Sequence, residues 1–209
     1  MTTKWFALIV TAAVMAGCAT VSWADTTEGT SSDSEEALFV MWSGGKFGYM
    51  DRTGEVVITP QFDSVWRFSE GLAAVRIGDF ETGKWGYVDK TGNYAVGSQF
   101  DWAGNFSEGL AAVRIGDSRT GKWGYIDKTG EYIIDPQFDS ADAFSEGLAR
   151  ARVGNKWGFI DKSGQYVIEP SFDEAWPFSD GLAEVTIDGK RGYIDREGNF
   201  VWSTTEPRP

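Results

Sequence analysis

The sequence predicts an all-β protein, built as a tandem array of five three-stranded antiparallel meander units that form an open, curved β-solenoid. Three observations support this fold class: a motif that recurs five times, glycines at fixed turn positions in every copy, and 15% aromatic residues. A repeat period between about 20 and 50 residues is typical of solenoids and propellers. A five-bladed, propeller-like ring is the alternative arrangement of the same units.

The recurring motif reads KWGYIDKTG in one of its regular copies. Successive copies start 38, 38, 34 and 34 residues apart, which indicates one structural unit per copy. The longer steps arise from four additional residues before the motif, in segments 78–83 and 116–121. Insertions at a hairpin tip leave strand register unchanged, so we expect them to be structurally neutral.

Each unit is predicted to contain three short strands separated by two turns. The first is a Gly-Leu-Ala run such as 147–153, the second is the KWGYID segment, and the third is a run such as 165–168. Gly154-Asn155, between the first two strands, is typical of a two-residue hairpin. The Asp-x-x-Gly order after the second strand predicts an Asp that caps its own turn and a Gly that closes it.

Linkers with two phenylalanines and an acidic corner join successive units. We expect the phenylalanines to anchor the linker in the core, and the corner acids to be solvated or hydrogen-bonded to backbone. A proline near the end of three units is expected to end the third strand, where no ladder N–H is needed. The corner acids are Glu70, Glu108, Glu146 and Asp180, and the prolines are Pro60, Pro136 and Pro170.

The two ends of the chain set the domain boundaries. Residues 1–24 are interpreted as a signal peptide, because a charged start precedes an apolar run too short to span a bilayer. Residues 25–36 are polar and are predicted to be a disordered tether, and residues 203–209 a disordered tail. The β domain between them covers 37–202, with units 37–70, 71–108, 109–146, 147–180 and 181–202.

Two cleavage sites fit the signal peptide. Ser22-Trp23-Ala24 has the small-x-small pattern of ordinary cleavage after residue 24. Residues 15–18 resemble a lipoprotein signal, in which residues 1–17 are removed and Cys18 is lipidated, although Met15 departs from the usual aliphatic residue. We therefore expect an exported, periplasmic or envelope-associated protein that contacts a membrane only through a lipid anchor at Cys18, if it is lipidated.

Composition narrows the classes of function. The net charge of -12 disfavours nucleic acid and anionic membrane surfaces as partners. The chain has no histidine, the commonest general base and metal ligand, and its single cysteine allows no internal disulfide. The sequence contains no nucleophile-elbow, zinc-protease or phosphate-loop motif. It therefore predicts no catalytic residue, no cofactor and no metal site.

The motif aspartates are the one repeated set of candidate metal ligands or acid–base groups. Their spacing lacks the dense acidic run of a calcium loop, and a glycosidase needs one unique acid pair at a defined separation. Capping of the turns explains them without a ligand. The five are Asp51, Asp89, Asp127, Asp161 and Asp195.

Tryptophans that differ between otherwise matched units are the most informative positions. Trp66 and Trp176 occupy one linker position, where other units have Gly104 and Asp142, and Trp102 occupies a neighbouring variable position. Variable positions in a repeat tend to be exposed, and exposed aromatic side chains bind protein surfaces or sugar faces. Trp66, Trp102 and Trp176 are therefore candidate ligand-binding residues, with core packing as the alternative.

These motifs give the chain a close resemblance to bacterial WG-repeat proteins, named for the Trp-Gly pair. Three copies carry the pair, at Trp85, Trp123 and Trp157. The first and last copies have Phe47 and Arg191 instead, as expected of terminal capping units. The resemblance covers 37–202 and implies a repeat module with no shared catalytic motif.

The sequence thus predicts an exported, non-enzymatic repeat protein that acts as a protein-binding or scaffolding module at the cell envelope. A glycan- or cell-wall-binding module is the first alternative, and a glycan-active enzyme is the second. The expected partner is a protein or another envelope component, not nucleic acid.

Overall fold

The computed structural model describes residues 37–204, whose strands form five antiparallel sheets in tandem along the chain. This confirms the predicted all-β class and the five repeated units. Within the described range, no helix is long and apolar enough to cross a membrane. The predicted signal peptide (1–24), the tether (25–36) and residues 205–209 of the predicted tail, and with them Cys18, lie outside the described residues.

The sheets are numbered 1 to 5 in chain order. Sheet 1 contains β1 (Phe39–Ser43), β2 (Lys46–Met50) and β3 (Val56–Phe62). Sheet 2 contains β4 (Ser64–Val65), β5 (Leu72–Ile77), β6 (Lys84–Asp89) and β7 (Tyr94–Phe100). Sheet 3 contains β8 (Trp102–Ser107), β9 (Leu110–Ile115), β10 (Lys122–Ile126) and β11 (Tyr132–Phe138). Sheet 4 contains β12 (Ser140–Ala141), β13 (Ala149–Val153), β14 (Lys156–Ile160) and β15 (Tyr166–Phe172). Sheet 5 contains β16 (Glu174–Ala175), β17 (Ala183–Ile187), β18 (Lys190–Ile194) and β19 (Phe200–Ser203).

Sheet 1 has the three strands expected of a unit, but each later sheet has a fourth strand that the sequence did not predict. The linker supplies it: Ser64 and Val65 pair antiparallel with Arg76 and Val75 of β5. The linker is therefore an integral part of the following sheet as well as a crossover. In structural terms, each later sheet starts before the Gly-Leu-Ala run that marks the start of a sequence repeat.

The core is aromatic and lies between successive sheets. The motif tyrosine Tyr87 is fully buried, and its hydroxyl donates to the Gly104 carbonyl of the next linker at 2.7 Å, which satisfies its polar end. Its ring lies 4.8 Å from the ring of Phe106. Phe100 and Phe106 are both buried, which confirms that the linker phenylalanines anchor the crossover.

The expectation that prolines end the third strand is wrong. Pro136 lies inside β11, and the equivalent Pro60 and Pro170 lie inside β3 and β15. All three strands are outermost in their sheets, and the register of β11 against β10 shifts between the Tyr125–Ile134 and Trp123–Phe138 pairs. A bulged edge strand accepts proline because no neighbour needs the missing N–H.

The bulge explains the glycine of the Trp-Gly pair. A β-carbon on Gly124 would lie 2.5 Å from the Ile134 carbonyl oxygen and 2.7 Å from the Pro136 nitrogen. The same approach recurs at Gly158, where the distance to the Ile168 oxygen would be 2.5 Å. The middle strand can meet the bulged edge strand this closely only without a side chain.

The motif aspartates cap their own turns, as predicted. Asp127 Oδ1 accepts the Thr129 hydroxyl at 2.6 Å and the N–H groups of Thr129 at 2.9 Å and Glu131 at 3.0 Å. The Thr129 hydroxyl contributes most to holding the pKa of Asp127 below its ordinary value, and the N–H groups add to this effect. Side-chain caps of this kind fix the hairpin that projects from each sheet.

The corner acids connect successive sheets. Glu108 of sheet 3 accepts the N–H of Gly147 at 3.0 Å and lies 3.1 Å from Lys162 Nζ, both in sheet 4. The adjacent Ser107 hydroxyl donates to the Phe144 carbonyl at 2.7 Å. The predicted bonding to backbone is confirmed for Glu70, Glu108 and Glu146, and the structure adds that the backbone belongs to the next unit. Glu108 adopts a left-handed conformation (φ 54°), which the tight corner requires.

Candidate functional site

Two of the three candidate tryptophans meet at the boundary between sheets 2 and 3. Trp66, which follows β4, is 41% exposed, and Trp102 at the start of β8 is half-buried. Their ring centroids lie 6.2 Å apart. Trp176 is similarly exposed at 39%, but it belongs to sheet 5 and takes no part in this cluster. The predicted exposure of Trp66 and Trp176 is confirmed, and Trp102 combines packing with partial exposure.

Trp66 and Trp102 belong to a row of four indole rings. Trp66 stacks on Trp85 with 6.2 Å between centroids and 19° between planes, and Trp102 lies 5.0 Å from Trp123. Trp85 and Trp123 are the motif tryptophans of two successive units. The variable linker residues therefore extend the motif residues into one continuous aromatic surface.

An arginine covers each motif tryptophan of this row. Arg76 and Arg114 pair across the strands with Trp85 and Trp123, and their guanidinium carbons lie 5.7 and 5.8 Å from the ring centroids. The Nε atoms of both arginines are buried without a hydrogen-bond partner among the described residues. Arg152 in sheet 4 shares this feature, so it reflects the geometry of the repeat and not a particular site.

The two longer hairpins complete a pocket over these rings. Its volume is about 550 Å³, inside the range of roughly 300–1,000 Å³ that is usual for ligand sites. Phe80 and Glu81 from the β5–β6 hairpin line one side, and Asp117 and Ser118 from the β9–β10 hairpin line the other. We call this cavity, with Trp66, Phe80, Trp85, Trp102, Arg76 and Arg114, the aromatic pocket.

Internal hydrogen bonds hold the longer hairpins in place. Asp79 Oδ1 accepts the N–H groups of Glu81 at 2.9 Å and Thr82 at 2.7 Å. In the second hairpin, hydrogen bonds from the side chain and then the backbone of Thr120, with the Arg119 N–H, lower the pKa of Asp117 to about 2. Both walls of the pocket are therefore ordered, and Asp117 is ionised at neutral pH.

The carboxylates in the pocket differ in whether they already have hydrogen-bond or ion-pair partners. Asp101 accepts Lys84 Nζ at 2.6 Å and the Gly116 N–H at 2.8 Å, so both of its oxygens have partners. The carboxylate of Glu81 has no hydrogen bond or ion pair with any residue in 37–204. Glu81 can thus accept hydrogen bonds from a ligand that lies on the exposed face of Trp66.

The arrangement is suited to binding a group with a flat or apolar face and a polar edge. Ring faces supply contact area, the guanidinium groups supply donors and Glu81 supplies an acceptor. In the part of the chain that the structure describes, no three His, Cys, Asp or Glu side chains are grouped closely enough to hold a metal ion.

Sequence reasoning found Trp66 and Trp102 but missed the hairpins that enclose them. The sequence predicts that segments 78–83 and 116–121 are neutral insertions, whereas in the structure they supply Phe80, Glu81 and Asp117 to the pocket. The available signal was their coincidence: both insertions occur in successive units, at one position, beside the two linker tryptophans.

Comparison with solved structures gives distant similarities. A eukaryotic initiation factor matches with a TM-score of 0.54 at 12% identity, over 81% of this chain and 52% of that chain. KlHsv2 with loop 6CD replaced by a Gly-Ser linker matches at 0.41 and 9%, over 66% and 50%. A Bacteroides caccae protein of unknown function matches at 0.36 and 14%, over 81% and 78%. The chain spans about half the length of the initiation factor, and that similarity concerns the fold alone.

The repeats themselves match a family model. The model, described as WG containing repeat, matches residues 47–79, 85–118, 123–157 and 157–190. No curated protein matches the chain. Each matched segment begins in the motif strand of one sheet and extends into the next sheet, and together the four cover more than half of the sequence. The chain therefore belongs to the family of proteins built from WG containing repeats.

Proposed function

We propose that this chain is an exported, non-enzymatic binding module of the cell envelope whose aromatic pocket binds a segment of a partner protein. One observation carries the proposal. In sheets 2 and 3, the two longer hairpins and the linker tryptophans Trp66 and Trp102 converge on one pocket, a combination that no other described sheet has. Residues common to all units maintain the fold, so the residues that differ are free to be selected for a ligand.

The composition of the pocket supports a protein ligand. Tryptophan and arginine contribute most of the binding energy in many protein–protein interfaces, and the pocket combines Trp66 and Trp102 with Arg76 and Arg114. The net charge of -12 favours a partner with a positive surface, because complementary charge accelerates encounter. Glu81 at the rim offers such a partner an unpaired carboxylate.

The pKa values of the pocket carboxylates support binding over catalysis. Burial raises the pKa of Asp101, but the hydrogen bonds from Lys84 and Gly116 outweigh burial and leave the pKa below its ordinary value. The pKa of Asp117 is lowered as well. A carboxylic acid that protonates a leaving group needs the opposite shift, so neither aspartate is tuned as a general acid.

A glycan is the second candidate ligand. The observation that favours it is the exposed ring of Trp66 beside Arg76 and Glu81. An indole ring can pack against the apolar face of a sugar while charged side chains bind its hydroxyl groups. Binding of wall polysaccharide would separate this ligand class from a protein.

Affinity capture from envelope extracts tests the proposal, with immobilised wild-type protein, Trp66→Ala and Trp176→Ala compared by mass spectrometry. Trp176→Ala is a matched control, because Trp176 has the same repeat position and nearly the same exposure but lies outside the pocket. We expect wild type and Trp176→Ala to retain one partner protein, and Trp66→Ala to lose it by about tenfold or more. Both variants should melt near wild type.

Two outcomes would count against the protein ligand. Equal capture by wild type and Trp66→Ala would exclude the aromatic pocket as the protein-binding site. Trp66-dependent binding of soluble cell-wall fragments, without any captured protein, would replace the protein by a glycan. The same capture sample, analysed at its N-terminus, reports whether Cys18 is acylated.

A further inference from the structure

We infer that copies of this chain associate head to tail, through the same contacts that join its own successive sheets. The head surface is the outer side of sheet 1, with Phe39, Val56 and Gly54; Phe39 and Val56 both pair with Met50 and so share one face. The tail surface is the outer side of sheet 5, with Tyr193, Trp202 and the corner 179–181. This inference does not depend on the proposed function, because both surfaces lie outside the aromatic pocket.

Each internal junction places the glycine of a capped turn on an aliphatic side chain of the preceding sheet. A β-carbon on Gly164 of sheet 4 would lie 3.0 Å from Ile134 Cγ2 in sheet 3. The other three junctions place Gly92 on Ile58, Gly130 on Val96 and Gly198 on Ile168. The four aliphatic residues are at most 9% exposed, so the turn of the following sheet covers them.

Among the described residues no sheet precedes sheet 1, so sheet 1 presents a surface that would form the following half of such a junction. Gly54 is the equivalent turn glycine, and a β-carbon there would meet no described atom within 4 Å. Phe39 is 46% exposed. The residues at its repeat position in the other sheets are at most 1% exposed: Ala73, Ala111, Ala149 and Ala183.

Likewise, no sheet in the described range follows sheet 5, so sheet 5 presents a surface that would form the preceding half of a junction. Trp202 has the repeat position of Ile58, Val96, Ile134 and Ile168, but it is 54% exposed. Tyr193 is 41% exposed, although the aromatic residue at its position in every other sheet is fully buried. At both ends of the described array, the side chains of Phe39, Tyr193 and Trp202 are thus exposed at positions that neighbouring sheets cover inside it.

The polar contacts of a junction also have a counterpart at the tail. At the last internal junction, the Ser145 hydroxyl donates to the Phe178 carbonyl at 2.8 Å, and Glu146 accepts the Gly181 N–H at 3.0 Å. Ser179 and Asp180 repeat this corner in sheet 5. Asp180 has the left-handed conformation (φ 53°) of the other corner acids. The tail is therefore shaped to receive the turn and corner of another unit.

Terminal capping does not account for these surfaces. The end units of repeat proteins usually carry polar outer faces, which keep separate copies apart. Arg191 in place of the motif tryptophan fits a cap, but Phe39 and Trp202 do not. Exposed apolar surface at the position of an internal interface indicates that the interface continues into a second copy. A head-to-tail contact is heterologous, so it closes into a ring or grows into a filament.

Complementary blocking variants test the inference in the purified protein. Phe39→Glu blocks only the head and Trp202→Glu only the tail, and both side chains are exposed enough for the fold to survive. By sedimentation velocity, over about a hundredfold range of concentration, wild type should form larger species and each variant alone should stay monomeric. An equimolar mixture should form a one-to-one dimer and nothing larger. The tail surface of the Phe39→Glu variant binds the head surface of the Trp202→Glu variant, and the other two surfaces are blocked.

Trp66→Glu is the control, since Trp66 is exposed but lies on neither surface, and it should associate like wild type. Val56→Glu with Tyr193→Glu forms a second blocking pair if circular dichroism shows that a first-pair variant is unfolded. A wild type that stays monomeric overturns the inference. So does a mixture that stays monomeric, or a single blocking variant that still forms dimers, which would indicate a symmetric contact instead.

Discussion

At the scale of single residues, some positions of the repeated motif act through their side chains and others through their backbone. Trp123 supplies packing area to the aromatic row, Gly124 leaves space for the bulged edge strand, and Asp127 caps the turn that follows. These three roles are physically distinct, so substitutions at the three positions should destabilise the fold for different reasons. Stability measurements can separate the backbone requirement of the glycine from the ionisation of the aspartate.

Gly124→Ala should destabilise the fold by about 1–3 kcal/mol, because its β-carbon would overlap backbone atoms that cannot move aside cheaply. Urea unfolding measures this change. Gly97→Ala in β7 is the control, since a β-carbon there would meet no atom within 4 Å, and its effect should stay within about 0.5 kcal/mol. Equal losses at the two glycines would contradict the close approach of the bulged strand.

Acidification should destabilise the protein through the turn caps. The Thr53 hydroxyl contributes most to lowering the pKa of Asp51 from its ordinary 3.8, and the pKa of each of the four equivalent aspartates is also lowered. A lowered folded-state pKa gives stability that is complete above 3.8 and is lost as the pH falls through the folded value. Melting temperature should therefore be level near neutral pH and decline below about pH 4. A melting temperature that holds or rises on acidification would argue against these caps.

At the scale of elements, hairpin length separates the proposed binding surface from the supporting fold. The hairpin in sheet 4 turns in two residues, Gly154-Asn155, between strands paired like those of sheet 2. The longer hairpin 78–83 adds Phe80 and Glu81 to the pocket and leaves the strand pairing unchanged. Function can therefore change at this tip without a change of core.

Replacing residues 78–83 by Gly-Asn should keep the fold and weaken ligand binding. The shorter turn is already used in sheet 4, so melting temperature should stay close to wild type, whereas capture of the partner should fall with the lost pocket wall. Lengthening Gly154-Asn155 to the same six-residue sequence is the reciprocal control and should leave capture unchanged. Unimpaired capture by the shortened variant would remove this hairpin from the binding site.

The sequence predicted the elements that have a strong local signal. Motif spacing located the middle strands, and the Asp-x-x-Gly order identified the capped turns. It missed β4, because Ser64 and Val65 are too few to show an alternating pattern and their pairing depends on a strand that follows later. It also misplaced Pro136, because an edge position and a bulge are properties of the assembled sheet. The pocket was missed for a similar reason: Phe80 and Trp66 line the same cavity only after the sheet has formed.

At the scale of the whole molecule, the described sheets are coupled through junctions between neighbours. Sheets 2, 3 and 4 each have a junction on both sides, whereas sheets 1 and 5 each have one. In repeat proteins, stability approximates a sum of unit terms and neighbour terms, so end units open more readily than central ones. Local opening should therefore differ along the chain even if global unfolding is cooperative.

Hydrogen exchange should reveal this gradient in dilute protein, where copies are monomeric. Amides of β2 and β18 should exchange faster than those of β10 and β14, although all four are middle strands of matched units. Mass spectrometry of peptic fragments measures the rates. Uniform protection across the five sheets would contradict the idea that a sheet's stability depends on its number of junctions. Additional protection of β2 and β18 at high protein concentration would support head-to-tail association.

The most direct test of the aromatic pocket is photo-crosslinking in living cells, with p-benzoylphenylalanine in place of Phe80. Phe80 is largely exposed on the pocket wall, so the photoreactive ring would face a bound partner without disturbing the core. The binding proposal predicts a crosslinked protein adduct that disappears when Trp66→Ala is added, and no adduct from the same probe in place of Tyr94 on the outer strand β7. An adduct from Tyr94 alone, or one from Phe80 that survives Trp66→Ala, would show that partners bind elsewhere on the molecule.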